Sequence, residues 1–435
     1  MQILDWTQLD AAARRTALAR PLSATRESVS AQAAAIIAAV RSAGDAALRQ
    51  LTRQFDGVEL ESLSVSEAEF EAARAGLAAG DIAALETAIR NVRSFHAAQA
   101  APAIDLETQP GVRCERLTRA IGSVGLYVPA GSAPLPSTVI MLAVPALIAG
   151  CAQRVLCTPA QRNGRANAAV LVAAQLCGID TVFKIGGAQA VAAMAYGTES
   201  VPKVHKIFGP GNAWVTAAKQ LVAADPAGAA LDMPAGPSEV MVIADAQANA
   251  EFVAADLLAQ AEHDPGAQAV LLTDAPALAR AVAAQLGAQL GTLSRSDILR
   301  QSSAAIRIVV LPDLEAAFEL ADEHAPEHLL VQVRDARSWL PRINTAGSVF
   351  LGAWTPETMG DYCSGTNHVL PTYGYARSCS GLSLLDFTRR MTVQELSPQG
   401  LKTLGPVAAR LARLEGLDAH EQAVTRRLAS AELSA

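Results

Sequence analysis

The chain predicts an α/β protein built on two series of parallel strands, with helical segments ahead of them and a helical tail behind. Between residues 123 and 237, four short β-rich runs (SVGLYVP, RVLCTP, TVFKIGG, KVHKIFGPG) are each followed by an Ala-rich helical segment. That alternation is the pattern of right-handed βαβ units on a parallel sheet. A second series, EVMVIAD, AVLLTD, IRIVVLP, HLLVQV and SVFLG, begins at residue 239 and repeats it.

Taken in order, residues 1–24 form the expected helical arm. From Trp6 to about His96, apolar residues recur at three- and four-residue spacing, as in SVSAQAAAIIAAVRSAGDAALRQLTRQF, which predicts packing helices. Residues 105–118 (DLETQPGVRCERLT) centre on Pro110 and Gly111 between alternating segments, a hairpin signal. The expected grouping puts 25–122 and 238–380 in one discontinuous α/β domain and 123–237 in a second, nucleotide-binding one. After a completed sheet, the charged helical tail of 381–435 is expected to rest on another subunit.

Composition narrows the function. Hydrophobic residues make up 51% of the 435, yet no apolar run reaches the roughly 18 residues of a membrane span. The start, MQILDWTQLDAAARR, lacks a basic segment followed by an apolar core, so a cytoplasmic location is expected. Six cysteines with no C-x-x-C pair fit buried thiols in a reducing compartment. A net charge of −7 with 4% aromatics offers little to a nucleic-acid backbone or its bases.

The chemistry concentrates late in the chain. Residues 323–328, EHAPEH, put two carboxylates and two imidazoles in six positions. Imidazole titrates near neutrality and a carboxylate beside it takes a separate proton, so the run suits general acid/base work. A bland helix entrance is the alternative. The run also spells H-x-x-E-H, an inverted zinc-peptidase pattern, but Pro326 interrupts the helix that such a motif requires. Upstream, Gln260 and His263 lie at i, i+3 on one helical face. Downstream, the irregular run 355–374 (TPETMGDYCSGTNHVLPTYG) holds Asp361, Cys363 and His368, and a run that long inside a domain is usually functional. Nitrogen and oxygen donors without a thiolate suit zinc or a similar ion in a catalytic site. No base lies near Cys363 in sequence, which points to an incidental thiol. In the first series, residues 127–131, 186–189 and 209–212 fall at carboxyl ends of strands. Ligands bind there in parallel sheets, and the glycines and helix amino termini favour a phosphate-bearing cofactor.

With LDMPAGPSE through QAEH (231–263), EHAPEHL, TPETMGDYCSGTNHVLPT and GPGNAWVTAAK all present, the chain resembles the L-histidinol dehydrogenase family over essentially its whole length. The resemblance implies an NAD-linked enzyme with one Zn2+ per subunit that oxidises L-histidinol through an aldehyde to L-histidine, in histidine biosynthesis. It also implies a homodimer of two Rossmann-like parallel-sheet domains, with a helical N-terminal arm and a helical C-terminal tail that completes the partner's site. Carried over by position, the metal ligands are Gln260, His263, Asp361 and, from the other subunit, His420. Those four, with Ser238, His328 and Glu415, are the implied substrate contacts; Tyr127, Gln189 and Asn212 are the implied NAD contacts. His328 is implied as the base for the alcohol proton and Glu327 as the group that activates water on the aldehyde. Ala130 and Trp214 depart from the family's usual Gly and Tyr, both on the cofactor side. A related dehydrogenase of another small alcohol, and the peptidase, are the alternatives.

Overall fold

The computed structural model describes residues 2–20, 26–130, 133–233 and 236–433. Gly131, at the end of the first predicted ligand-facing loop, and Pro234 and Ala235 of the LDMPAGPSE run lie outside them.

Both series of β-rich runs form parallel sheets. The first is five-stranded, in the order Val182–Phe183, Gln153–Cys157, Ser123–Tyr127, Lys206–Phe208, Ala230–Leu231. The second is six-stranded, in the order Gln2–Asp5, Arg307–Val310, Gln268–Thr273, Glu239–Ala244, His328–Gln332, Ser348–Leu351. In each, the first strand of its series lies inside the sheet and the strand order reverses beside it, the doubly wound arrangement. The strands are apolar because both faces are covered: Glu239–Ala244 and His328–Gln332 are buried at every residue.

The arm and the tail differ from expectation, because each carries a strand. Gln2–Asp5 joins the six-stranded sheet beside Arg307–Val310, and among the arm's described residues only Ala11–Ala17 is α-helical. Thr388–Leu396 pairs antiparallel with Val112–Ala120, and that strand forms the predicted hairpin with Ile104–Gln109. Gly111 turns the hairpin at φ 82, in the left-handed region that glycine reaches freely.

The helices of residues 26–97 also depart from the expected grouping of 25–122 with 238–380. Ala33, Ile37, Val40, Leu48 and Leu51 of the segment Arg26–Asp56 share a core with Tyr127, Val155, Ile185 and Val191 of the five-stranded sheet and its helices. The segment kinks at Gly44, φ 51, where a Cβ would meet the Glu199 carboxylate; Glu199 accepts from Asp45 N at 2.8 Å. Amphipathic periodicity announces a helix and a buried face but not which sheet covers it.

The six-stranded sheet has a core on each face, one under the helices Ala250–Ala261 and Pro276–Leu290 and the other under Leu314–His324. Residues 100–120 and 388–435 form a separate compact unit. It holds the three-stranded antiparallel sheet and the helices Pro398–Leu414 and Asp418–Leu433.

Candidate active site

The EHAPEH run is split by a change of element. The helix Leu314–His324 ends at Ala325, φ 54, and the next strand opens on His328. His324 and His328 therefore project from different elements, which removes the single helix that an H-x-x-E-H peptidase needs. The His324 Nε2 lies 3.9 Å from Glu239 Oε2.

Glu327 and His328 are 5% and 4% exposed, at the amino end of their strand. The pair thus lies at the opposite end of its sheet from the carboxyl ends that single out Tyr127, Gln189 and Asn212 in the first. Glu327 Oε2 accepts from Glu239 N at 2.7 Å. Burial pushes the Glu327 carboxyl up to about 8, against the opposing pull of His328. His328 Nδ1 lies 3.1 Å from the Glu239 carbonyl oxygen and 3.7 Å from a carboxylate oxygen of both Glu327 and Glu357; its Nε2 is 3.5 Å from Asp361 Oδ1. Burial disfavours the imidazolium, but Glu357, Glu327 and Asp361 outweigh it and raise the proton affinity of His328 well above the usual value.

Around this pair stands a set of donors. Among the described residues, His263, Glu357 and Asp361 offer ligand atoms within 4.8 Å of one another. Gln260, fully buried on the helix that leads to His263, has neither amide atom hydrogen-bonded; the same holds for both Glu357 carboxylate oxygens and for His328 Nε2. Buried polar atoms are rarely left without partners, and five in one cluster mark a place where something binds. Neutral imidazole, amide and carboxylate donors fit a zinc-like ion. Glu357 was missed in sequence, although its i, i+4 spacing from Asp361 on Glu357–Tyr362 was a readable signal.

His368 ties this cluster to the other sheet. Its Nδ1 is 2.7 Å from the Asp361 carbonyl oxygen and its Nε2 3.3 Å from Thr138 Oγ1. Thr138 is in the first turn of the helix Pro136–Ala149, which follows the strand ending at Tyr127. There the Tyr127 hydroxyl accepts from Gly187 N at 3.0 Å, and burial pushes its pKa up to about 12. Gln189 is buried beside that loop: a Cβ on Gly187 would stand 2.7 Å from Gln189 Oε1. Asn212 caps the helix Ala213–Ala224, accepting from Val215 N at 3.1 Å, and its loop begins at Gly209, whose Cβ would meet the Tyr127 carbonyl. These three residues thus surround the crevice where strand order reverses. Trp214, exposed on that side, donates from Nε1 to Gln32 Oε1 at 2.9 Å. Half-buried Ser238 immediately precedes Glu239.

The structure therefore gathers Ser238, Gln260, His263, Glu327, His328 and Asp361 beside the amino ends of the interior strands Glu239–Ala244 and His328–Gln332, and Tyr127, Gln189 and Asn212 near the switch point of the other sheet. Glu415, the C-cap of Pro398–Leu414, and His420, in the first turn of Asp418–Leu433, are exposed and belong to the separate unit.

An acid–base pair beside a metal-type donor set, linked to the switch-point crevice of a doubly wound sheet, defines a dehydrogenase of the α/β class. The family model described as histidinol dehydrogenase matches residues 19–428. Histidinol dehydrogenases of Xanthomonas euvesicatoria pv. vesicatoria and Pectobacterium atrosepticum are 56% and 52% identical, each covering 98% of this chain and 99% and 96% of their own lengths. The crystal structure of histidinol dehydrogenase from Elizabethkingia anophelis superposes with a TM-score of 0.92 at 42% identity, over 99% of this chain and 98% of that one. The chain belongs to the histidinol dehydrogenase family.

Proposed function

We propose that the enzyme catalyses the NAD- and zinc-dependent four-electron oxidation of L-histidinol to L-histidine through the aldehyde, as a step of histidine biosynthesis. The observation that carries this is the clustering of Glu327 and His328 with the donor set Gln260, His263, Glu357 and Asp361, in which the Gln260 amide and the Glu357 carboxylate have no hydrogen-bond partner. In this reading Gln260, His263 and Asp361, with His420 of the partner subunit, hold zinc; Ser238 and the partner subunit's Glu415 complete the substrate pocket. Zinc there supplies Lewis acidity and a fixed pose for the alcohol.

His328 takes the alcohol proton, becoming a competent base once the carboxylates that retain its own proton are engaged by a cation. Its Nδ1 donates to the Glu239 carbonyl, which leaves Nε2 as the basic position. Glu327, with a proton affinity near neutrality, takes a proton from the water that adds to the aldehyde. Tyr127, Gln189 and Asn212 would hold NAD, which would supply the hydride acceptor for both half-reactions.

The proposal includes a homodimer. Val407, Leu411, Leu414 and Leu417 are 53%, 54%, 72% and 40% exposed, and an apolar row of that kind on a helical pair supports burial against a second copy. A cytoplasmic location belongs to the same proposal, supported by the biosynthetic family; among the described residues no helix is long and apolar enough to cross a membrane.

The test is an NAD reduction assay with L-histidinol, with and without a chelator. Two NADH per histidinol, lost on chelation and regained with zinc, is the expected result. Turnover of a different small alcohol but not histidinol would refute the substrate, and peptide cleavage without NAD would refute the reaction class.

A further inference from the structure

Glu327 and His328 are both held by the backbone of one residue. Glu239, which opens the neighbouring strand, gives its N–H to Glu327 at 2.7 Å and its carbonyl oxygen to His328 Nδ1 at 3.1 Å. The Glu239 side chain, 2% exposed, is gripped in turn from the N-terminal arm. Arg20 Nε donates to Oε1 at 2.6 Å and Arg20 Nη2 to Oε2 at 2.9 Å, while Tyr373 N donates to Oε1 at 2.9 Å. Arg20 Nη2 also donates to the His324 carbonyl oxygen at 2.8 Å, three residues before Glu327. One guanidinium therefore restrains both segments that carry the pair.

We propose that Arg20 is a positioning residue of the reaction, acting through Glu239 to set the distance and orientation of Glu327 and His328. This rests on the assignment of those two as the reacting pair. A bidentate guanidinium–carboxylate fork fixes orientation as well as distance, and a lysine in its place supplies charge without the fork. Without Arg20, the Glu239 carboxylate is buried with no such counter-ion, and the segment relaxes toward solvent. A displacement of roughly 1 Å at reacting groups costs about a hundredfold in rate.

Arg20→Ala and Arg20→Lys are compared with Glu327→Gln and His328→Ala in the zinc-loaded enzyme, reading kcat, KM for histidinol and zinc per subunit. We expect Arg20→Ala to lower kcat roughly ten- to a hundredfold. KM and zinc content should change much less than kcat, since Arg20 itself contacts none of the residues assigned to substrate or metal. Arg20→Lys should fall between, and millimolar guanidinium chloride should restore part of the lost kcat of Arg20→Ala. A wild-type kcat in Arg20→Ala overturns the inference, as does a loss that neither lysine nor guanidinium relieves. If Glu327→Gln and His328→Ala themselves turn over normally, the assignment of the pair fails, and the inference with it.

Discussion

His324 gives this protein a predictable sensitivity to acid. Its side chain is buried, and burial first, then the charges of Arg20 and Arg377, push the pKa from 6.5 to about 3. The groups facing it are the Glu239 carboxylate at 3.9 Å and those two arginines, with Glu319, Glu323, Arg14 and Arg15 around the same cleft. An unfolded histidine takes a proton near pH 6.5, whereas folded His324 resists until about pH 3. Between those values the unfolded state binds the extra proton, so stability is complete above the window and falls as pH drops through it. At pH 5 the loss is about 1.5 pH units at ~1.36 kcal/mol each, or ~2 kcal/mol. The figure is insensitive to the folded pKa as long as that lies well below 5. Urea unfolding of the wild type and of His324→Asn at pH 7.5 and 5.0, at equal protein concentration, reads it directly. The variant should lose ~2 kcal/mol less over the interval; His96, also held below its usual pKa by burial, contributes to both proteins and cancels. Equal losses would refute the reasoning.

Three further outcomes are expected. Glu327→Gln should slow aldehyde oxidation much more than alcohol oxidation in separately measured half-reactions, and equal slowing would end the division of labour between Glu327 and His328. Gly209→Ala should raise KM for NAD and lower the melting temperature, because Gly209 has φ 124 and a Cβ there would stand 2.1 Å from the Tyr127 carbonyl oxygen; the conformational part alone is about 1–3 kcal/mol. His420→Ala should lose zinc by metal analysis while still folding by circular dichroism, since His420 is exposed in its own unit.

Much of the site could be read without coordinates. Glu327 and His328 stand out because acid and base crowd a few positions of an apolar chain, and Gln260 with His263 because the helical period puts both on one face. Tyr127, Gln189 and Asn212 follow from the ends of recognisable strands. Other features had no local signal. Nothing in Arg20 or Glu239 announces that they meet, because they lie 219 residues apart in sequence. Gln2–Asp5 and Thr388–Leu396 were read within helical segments because a short edge strand takes its conformation from the strand beside it.

The sequence by itself determined that this is an α/β dehydrogenase with two parallel sheets, and most of the residues proposed to do its chemistry, since periodicity and side-chain type are local properties. Only the tertiary structure decided that the helices of 26–97 cover the first sheet and that Glu357 joins the donors. Those outcomes depend on which buried surfaces and which unsatisfied polar atoms meet, and such meetings are fixed by packing across hundreds of residues.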